Sequence, residues 1–232
     1  MYSFPPLTAA IGILHTVVTV LAAALTPLLG PASAAGAIVL LTMAVRVMLL
    51  PLAWRQAVAE RHRLRITPRI RELQRKHRHN PDRLRRELAE LHAREGVSPF
   101  AGVLPTLAQA PVFLVLYGLF LTPEVGGQPN IVTASDLAGV PLGSRLLEAA
   151  GADVVVFAVL LGLIALVALA AGRLSRITDA PGATLARVLP FATVFVAAAT
   201  PLAAGIYLLT STSWSVAERS TLRRVAAGRE GS

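Results

Sequence analysis

Residues 33–54, SAAGAIVLLTMAVRVMLLPLAW, form an apolar run that carries a single charge, Arg46. The run has about the 20 residues that a helix needs to cross a bilayer. A cation at mid-bilayer costs ~2.5 kcal/mol or more, so it tends to persist only where it faces a watery cavity, a partner or a substrate. We therefore predict a membrane-spanning helix whose one charged side chain has a function.

The composition agrees with a membrane protein. Of the 232 residues, 54% are hydrophobic and 15% are charged, whereas a soluble domain carries roughly a quarter charged residues. The chain has no cysteine, which excludes disulfides, thiol catalysis, a thiolate metal site and a lipoprotein-type acyl anchor. No phosphate-binding loop or nucleophile–base pair is visible, so we predict neither an enzyme nor a cofactor. No metal site is predicted either, because five histidines lack a ligand pattern: His15, His62, His77, His79 and His92.

A basic segment follows the first span. Residues 55–96 hold 13 of the 22 lysines and arginines against six acids. This surplus is typical of a cytoplasmic loop under the positive-inside rule, which we favour over specific nucleic-acid binding. Thr67-Pro68 and Asn80-Pro81 each read as an N-cap followed by a first helical residue, and Gly96 as a C-terminal cap. We predict a cytoplasmic helical hairpin over residues 58–97.

The apolar segments predict five core spans and leave one ambiguity. The spans lie at residues 32–57, 98–121, 153–172, 186–200 and 201–217. The last two share 30 residues without a charge, in which Pro201 predicts a turn; the alternative is one long tilted helix. Residues 1–31 are predicted to form an outer-leaflet interfacial helix, with an extra span or a cleaved signal peptide as alternatives.

Loop charges set the predicted topology. Residues 122–152 carry three acids against Arg145 alone and are predicted to be extracytoplasmic, whereas residues 173–185 and the tail 218–232 carry an excess of arginine and are predicted to be cytoplasmic. The fold class is therefore an all-α integral membrane protein. It has a five-span helical core, a cytoplasmic helical hairpin and an N-terminal interfacial helix.

Several motifs, in order, resemble the YidC/Oxa/Alb family of membrane protein insertases. They are Val45–Leu52 with its arginine and Pro-Leu, Ile66–Ile70 in the basic segment, and the proline-rich stretch from Val97 through Gln109 to Tyr117. The tail is shorter than the ribosome-binding tails of some relatives, and the usual glycine after Pro201 is missing. The residues that carry the signature are Pro51, Pro68, Pro99, Gly102, Pro105, Pro111, Tyr117, Pro201 and Tyr207.

The resemblance implies an insertase of a bacterial cell membrane. Its client transmembrane segments would enter a hydrophilic groove in the inner leaflet and leave sideways into lipid. Arg46 would attract an acidic residue of the client, although it could instead extend to the inner headgroups. The other groove candidates are Thr42, Thr106, Gln109, Thr193, Thr210, Ser211 and Ser213. For each threonine and serine, the alternative is a hydrogen bond to its own helix.

The hairpin is predicted to recruit clients through Arg69, Arg71, Arg75, Arg83, Arg85 and Arg86. Partners implied by the resemblance are nascent membrane proteins and the lipid bilayer, with the Sec translocon and the ribosome as further candidates. Two other classes stay open from the residues alone. A small transporter would more often show an internal repeat or paired intramembrane charges. A structural membrane subunit could use the basic hairpin to bind anionic lipid.

Overall fold

The computed structural model describes residues 5–96, 114–175 and 183–228. Its backbone divides into two compact units, a core unit of Met1–Met48 with Val112–Ser232 and a hairpin unit of Leu49–Pro111. Long helices dominate both. Two helical segments of the described residues, Pro5–Trp54 and Asp153–Leu174, are long and apolar enough to cross a membrane.

Eight helices are present in the described residues. They are α1 (Pro5–Leu29), α2 (Ser33–Lys76), α3 (Pro81–Arg94), α4 (residues 114–121), α5 (Ile131–Ala134), α6 (Asp153–Ser175), α7 (Ala183–Ala199) and α8 (Leu202–Gly228). A 3₁₀ turn at Gly30–Ala32 separates α1 from α2, with Gly30 in the left-handed region at φ +53°. Pro201 lies between α7 and α8, where the sequence predicts a turn.

The start predicted for the first hairpin helix is wrong. Thr67 and Pro68 do not begin a helix, because α2 runs without interruption from Ser33 to Lys76 and contains both Pro51 and Pro68. A proline inside a helix removes one backbone hydrogen bond, and the rest of α2 tolerates that loss. α8 also continues to Gly228, so residues 218–228 of the predicted tail are helical.

The hairpin unit follows the predicted caps at α3. The Asn80 side chain accepts a hydrogen bond from the Arg83 backbone N–H at 3.1 Å, with Pro81 as the next residue. Gly96 follows the last turn at φ +64°. Along α2, Ile66 is buried, and the apolar residues of the predicted seam on both helices are partly buried: Ile70, Leu73, Leu84, Leu88 and Leu91.

The prediction of an entirely helical chain misses the segment between α4 and α6. This segment, which we name the insert (residues 122–152), contains two β-hairpins. Strand β1 (Glu124–Val125) pairs with β2 (Gln128–Pro129), and β3 (Asp136–Leu137) pairs with β4 (Val140–Pro141). Both hairpin loops have two residues with positive φ, as type I′ turns require. These residues are Gly126, Gly127, Ala138 and Gly139.

One buried side chain organises the insert. Asn130 is fully buried, and its amide donates to the carbonyls of Leu119 and Thr122 at 2.7 Å each. Its side-chain oxygen accepts from the Val132 backbone N–H at 3.0 Å. Asn130 therefore satisfies carbonyls at the end of α4 and an N–H at the start of α5, which would otherwise lack partners.

The insert also packs on the start of α8. The backbone N–H groups of Leu202 and Ala203 donate to the carbonyls of Ser144 and Leu142 at 3.0 and 2.9 Å. These are orphan donors of the first helical turn, so the insert supplies the cap of α8. α1 approaches the insert as well, at β1 and α5.

α6, α7 and α8 pack against one another within the core unit. On α6, Phe157 and Ile164 are almost completely buried. Gly205 brings α8 close to α6, since a Cβ atom at this position would lie 2.5 Å from Leu160 Cδ2. The core unit thus has a three-helix bundle beneath the insert, and this bundle positions the candidate site.

Candidate functional site

Arg46 reaches from α2 to α8. Its Nη2 donates to the Ser211 carbonyl oxygen at 3.2 Å and forms a second, short hydrogen bond to the Ser211 hydroxyl. Arg46 is partly buried, and Ser211 is 5% exposed. The structure therefore brings together two of the residues that the sequence proposed for a groove, although they lie 165 positions apart.

The partner of Arg46 is neutral. Among the described residues, every ion pair lies in the hairpin unit, and none includes Arg46. Both contacts with Ser211 use Nη2, and a guanidinium carries five N–H donors. Within the part of the chain that the structure describes, Nε and Nη1 make no hydrogen bond and can serve another group. Ser211 holds the guanidinium in place without neutralising it.

Two other proposed groove residues bond to their own helices. Thr42 donates to the Ile38 carbonyl at 2.7 Å, and Thr210 donates to the Ile206 carbonyl at 2.9 Å. These are the local bonds that the sequence left open as an alternative. Ser213 is partly buried. Thr106 and Gln109 lie outside the described residues, as do four residues of the signature: Pro99, Gly102, Pro105 and Pro111.

Four of the five remaining signature residues lie on three helices, and the fifth lies between two helices. Pro51 and Pro68 are inside α2, and Pro201 is buried at the break before α8. Tyr207 of α8 is 6% exposed, and its ring centroid lies 6.1 Å from that of Phe120. Tyr117 of α4 lines a small cavity with both of these aromatic residues. Their positions fit a packing role between α4 and α8.

A larger cavity lies between α6, α7 and α8. Its volume is about 220 Å³, and its α6 wall is apolar. Thr193 of α7 lines this cavity, together with three polar residues of α8. Those three, Thr212, Ser215 and Arg219, were missed as site residues by the sequence reasoning. Their spacing of three and four residues on one helix face was the available signal.

The arginines of the hairpin unit have a different environment. Arg69 pairs with Glu95 at 2.7 Å, and Arg83 pairs with Glu87 at 3.2 Å. Arg71 is partly buried. Among the described residues, Arg75, Arg85 and Arg86 are exposed and form no ion pair. Three of these six cations are therefore available to solvent or to an anionic partner.

A carboxylate–imidazole pair lies beside the turn of the hairpin. His77 is 7% exposed, and its Nε2 lies 3.0 Å from Glu87 Oε2. Desolvation acts to raise the pKa of Glu87, but the Arg83 hydrogen bond and the nearby charges of His77 and Lys76 outweigh it and lower that pKa below 4.5. Glu87 thus stays ionised in mild acid. Within residues 5–96, 114–175 and 183–228, no group of three or more His, Asp or Glu side chains is arranged to hold a metal ion.

Comparison with known proteins identifies a matching family. The sequence pattern of the family described as the 60Kd inner membrane protein matches residues 24–229. The membrane protein insertase YidC of Wolinella succinogenes is 36% identical over 103 residues, which cover 44% of this chain and 19% of that protein. YidC of Clostridium perfringens is 39% identical over 83 residues, or 36% of this chain and 35% of that protein.

A plastid protein gives a similar match. The inner membrane ALBINO3-like protein 2 of Chlamydomonas reinhardtii is 36% identical over 115 residues, covering 44% of this chain and 27% of that protein. The matched segments therefore span about a fifth to a third of the length of these relatives.

Proposed function

Because the chain belongs to the family of the 60Kd inner membrane protein, we propose that it inserts client transmembrane segments into a lipid bilayer. The observation that carries this proposal is the Arg46–Ser211 contact. A cation on an apolar helix is held by a neutral partner, and its Nε and Nη1 have no hydrogen-bond partner among the described residues. Such a group can bind an acidic residue of a client while the client's apolar segment moves into lipid.

The proposed topology has five spans. They are the apolar part of α2 (Ser33–Trp54), the predicted second span at residues 98–121, and α6, α7 and α8. The hairpin unit and the C-terminus face the cytoplasm, as their arginines favour. α1 lies in the outer leaflet interface, because it approaches the insert at β1 and α5. The insert lies outside in this topology, as its three acids against Arg145 alone favour, and it would close the groove there because it caps α8 and is anchored by buried Asn130.

In the proposed mechanism, the client enters a hydrophilic groove from the cytoplasm. Water and polar side chains in the groove shorten the hydrocarbon path that the client's polar flank must cross. Arg46 binds a client carboxylate through Nε and Nη1 while Ser211 holds Nη2. Release into lipid is driven by burial of the client's apolar surface, at roughly 25 cal/mol per Å². No nucleotide is required.

Crosslinking of a stalled client tests the proposal. A photoreactive residue placed at Val45 or Leu209, which are partly buried against the core, should crosslink to a ribosome-stalled client segment. The same residue at Phe195, whose side chain is 77% exposed on α7, is the matched lipid-facing control. Equal crosslinking from all three positions would contradict a client path beside Arg46.

Arg46 itself gives the functional prediction. Arg46→Ala should slow insertion of a client with an acidic translocated tail by about tenfold or more, since a hydrogen bond to a charged group contributes ~1.5–3 kcal/mol. Arg46→Lys should retain part of the rate, because it keeps the charge but not the planar donor set. Arg173→Ala removes an exposed arginine on α6 and serves as the control. Unchanged insertion of acidic clients by Arg46→Ala would refute the electrostatic role.

A further inference from the structure

The cavity between α6, α7 and α8 has two unlike walls. One wall is apolar and includes Ile164 and Ala168 of α6. The other is mainly polar and is formed on α8 by Thr212, Ser215, Val216 and Arg219. Its volume of about 220 Å³ is well above the roughly 10–15 Å³ that a single water needs. A cavity of this size with hydroxyl groups and a cation on one side can hold water.

This polar wall is connected to the Arg46 site by hydrogen bonds. The Ser215 hydroxyl donates to the Ser211 carbonyl at 3.0 Å, and the same carbonyl accepts from Arg46 Nη2 at 3.2 Å. Ser215 therefore belongs both to the cavity and to the network that holds Arg46. Ser211 and Arg219 are eight residues apart on α8, which is roughly 12 Å along the helix axis. One polar face of α8 thus connects the Arg46 site to Arg219.

The charge of Arg219 is not neutralised by its neighbour in sequence. Glu218 accepts a hydrogen bond from Trp214 Nε1 at 2.9 Å, on a different face of α8 from the cavity. Within the described residues, Arg219 forms no ion pair, and its side chain is exposed. A mobile anion approaching this part of α8 would meet an available guanidinium.

We infer that this cavity is a first binding site for client carboxylates, on the cytoplasmic side of Arg46. Arg219 is its cation, and a client reaches it before it reaches Arg46. The inference rests on the proposed function and its topology, in which Arg219 lies on the cytoplasmic side of the fifth span (201–217). An acidic side chain of the client first meets Arg219, then moves along Thr212 and Ser215 to Arg46. The intermediate hydroxyls and water spare the carboxylate a passage through dry hydrocarbon.

Hydration of the cavity is tested first, because it does not depend on insertion. The protein has no cysteine, so a single introduced thiol is unique. Val216→Cys places the thiol in the cavity wall, and Phe195→Cys places it on the exposed face of α7. In membrane vesicles without client, a membrane-impermeant thiol reagent on the cytoplasmic side should modify Val216→Cys and spare Phe195→Cys. Protection of both thiols would overturn the inference.

The client test compares two arginines. Arg219→Gln should slow insertion of a client with one aspartate in its translocated tail by roughly two- to fivefold, the effect of a partly exposed charge. Arg219→Glu should slow it further. The matched client with asparagine should be unaffected, and Arg173→Gln, which removes an exposed arginine on α6, should leave both clients unchanged. Equal slowing of both clients, or by both arginine variants, would overturn the inference.

Two further arms separate the explanations. An anionic phospholipid is the alternative ligand of the same cavity, so the assay is repeated in vesicles of phosphatidylcholine alone, whose headgroups carry no net charge. If the Arg219→Gln effect disappears there for the aspartate client, Arg219 binds an anionic lipid headgroup and the client site is rejected. If it persists, the client site is supported. Failure of the unmodified protein to insert either client would instead refute the proposed function, while the thiol result would still report on the cavity.

Discussion

The insert (residues 122–152) and the hairpin unit (Leu49–Pro111) both connect membrane-spanning segments of the proposed topology, yet they are stabilised differently. The insert is joined to the core by buried hydrogen bonds, from Asn130 to α4 and from α8 to Ser144 and Leu142. The hairpin unit is a compact unit of its own, with partly exposed ion pairs on its surface. Buried polar bonds are costly to break, whereas exposed ion pairs contribute little.

This difference has a functional consequence under the proposed topology. In the proposed function, an insert held by buried hydrogen bonds would keep the groove closed toward the exterior while a client is bound. A hairpin unit that forms a compact unit of its own would receive clients of different sequence without disturbing the core. Four predictions test how far the contrast holds, ordered from the largest expected effect to the smallest.

The largest effect is expected at Asn130. Asn130→Ala removes three side-chain hydrogen bonds and leaves two carbonyls and one N–H without these partners. Each unsatisfied buried group costs ~1–3 kcal/mol, so we expect a loss of about 3 kcal/mol in unfolding free energy. Thermal unfolding in detergent should show this as a lowered midpoint. A change below that of Asn80→Ala would show that the insert is not the more tightly bound region.

The matched substitution in the hairpin is Asn80→Ala. Asn80 is the N-cap of α3 and makes one side-chain hydrogen bond, to the Arg83 N–H. Loss of an N-cap typically costs ~1 kcal/mol. Hydrogen exchange of the full chain should become faster in α3 and remain unchanged in the insert. Faster exchange in the insert would mean that the two regions unfold together.

The two asparagines also show what a sequence can reveal. Asn80 was recognised as a cap because its signal is local, a capping residue followed directly by proline. Asn130 was not, because its partner Leu119 lies 11 residues away and the two-residue strands are too short to show alternation. Only the paired glycines at 126 and 127 gave a hairpin signal. Pro68 shows that a local signal can also be wrong. Thr67-Pro68 predicts a helix start, but both residues lie inside α2.

The candidate site was predicted only in part from the sequence, as the fold was. Arg46 stands out because a charge in an apolar run has a known cost. Its partner Ser211 is among the predicted groove residues but does not stand out from its neighbours, because residues 210–213 are four consecutive hydroxyl side chains. Helix rotation decides that Ser211 faces Arg46 and Thr212 faces the cavity. Those choices depend on how α2, α6 and α8 pack, which periodicity in one segment cannot specify.

Acid should affect the hairpin unit before the insert. The folded-state pKa of Glu87 is lowered below 4.5, so its ionised form stabilises the fold above pH 4.5, and this contribution is lost as the pH falls through the lowered value. Protection of α3 amides in the full chain should therefore decline below pH 4.5. Glu87→Gln should abolish that part of the decline, and Glu90→Gln, at a more exposed position, should preserve it. An identical decline in Glu87→Gln would assign the acid sensitivity to other groups.

The smallest effect is expected from the shortest salt bridge of the hairpin. Arg69 lies 2.7 Å from Glu95, but their side chains are 67% and 29% exposed, so solvent screens the attraction. Arg69→Ala should lower the stability of the hairpin unit by no more than ~0.5 kcal/mol, within the range measured for exposed pairs. Arg75→Ala, which removes an exposed arginine that lacks an ion pair among the described residues, is the control. Because Arg69 costs so little to change, a clear loss of client recruitment in Arg69→Ala with unaltered hydrogen exchange would assign this arginine to binding. A loss of exchange protection comparable to that of Asn80→Ala would instead make the salt bridge a structural element, and the contrast between insert and hairpin would then have to be narrowed to the buried bonds alone.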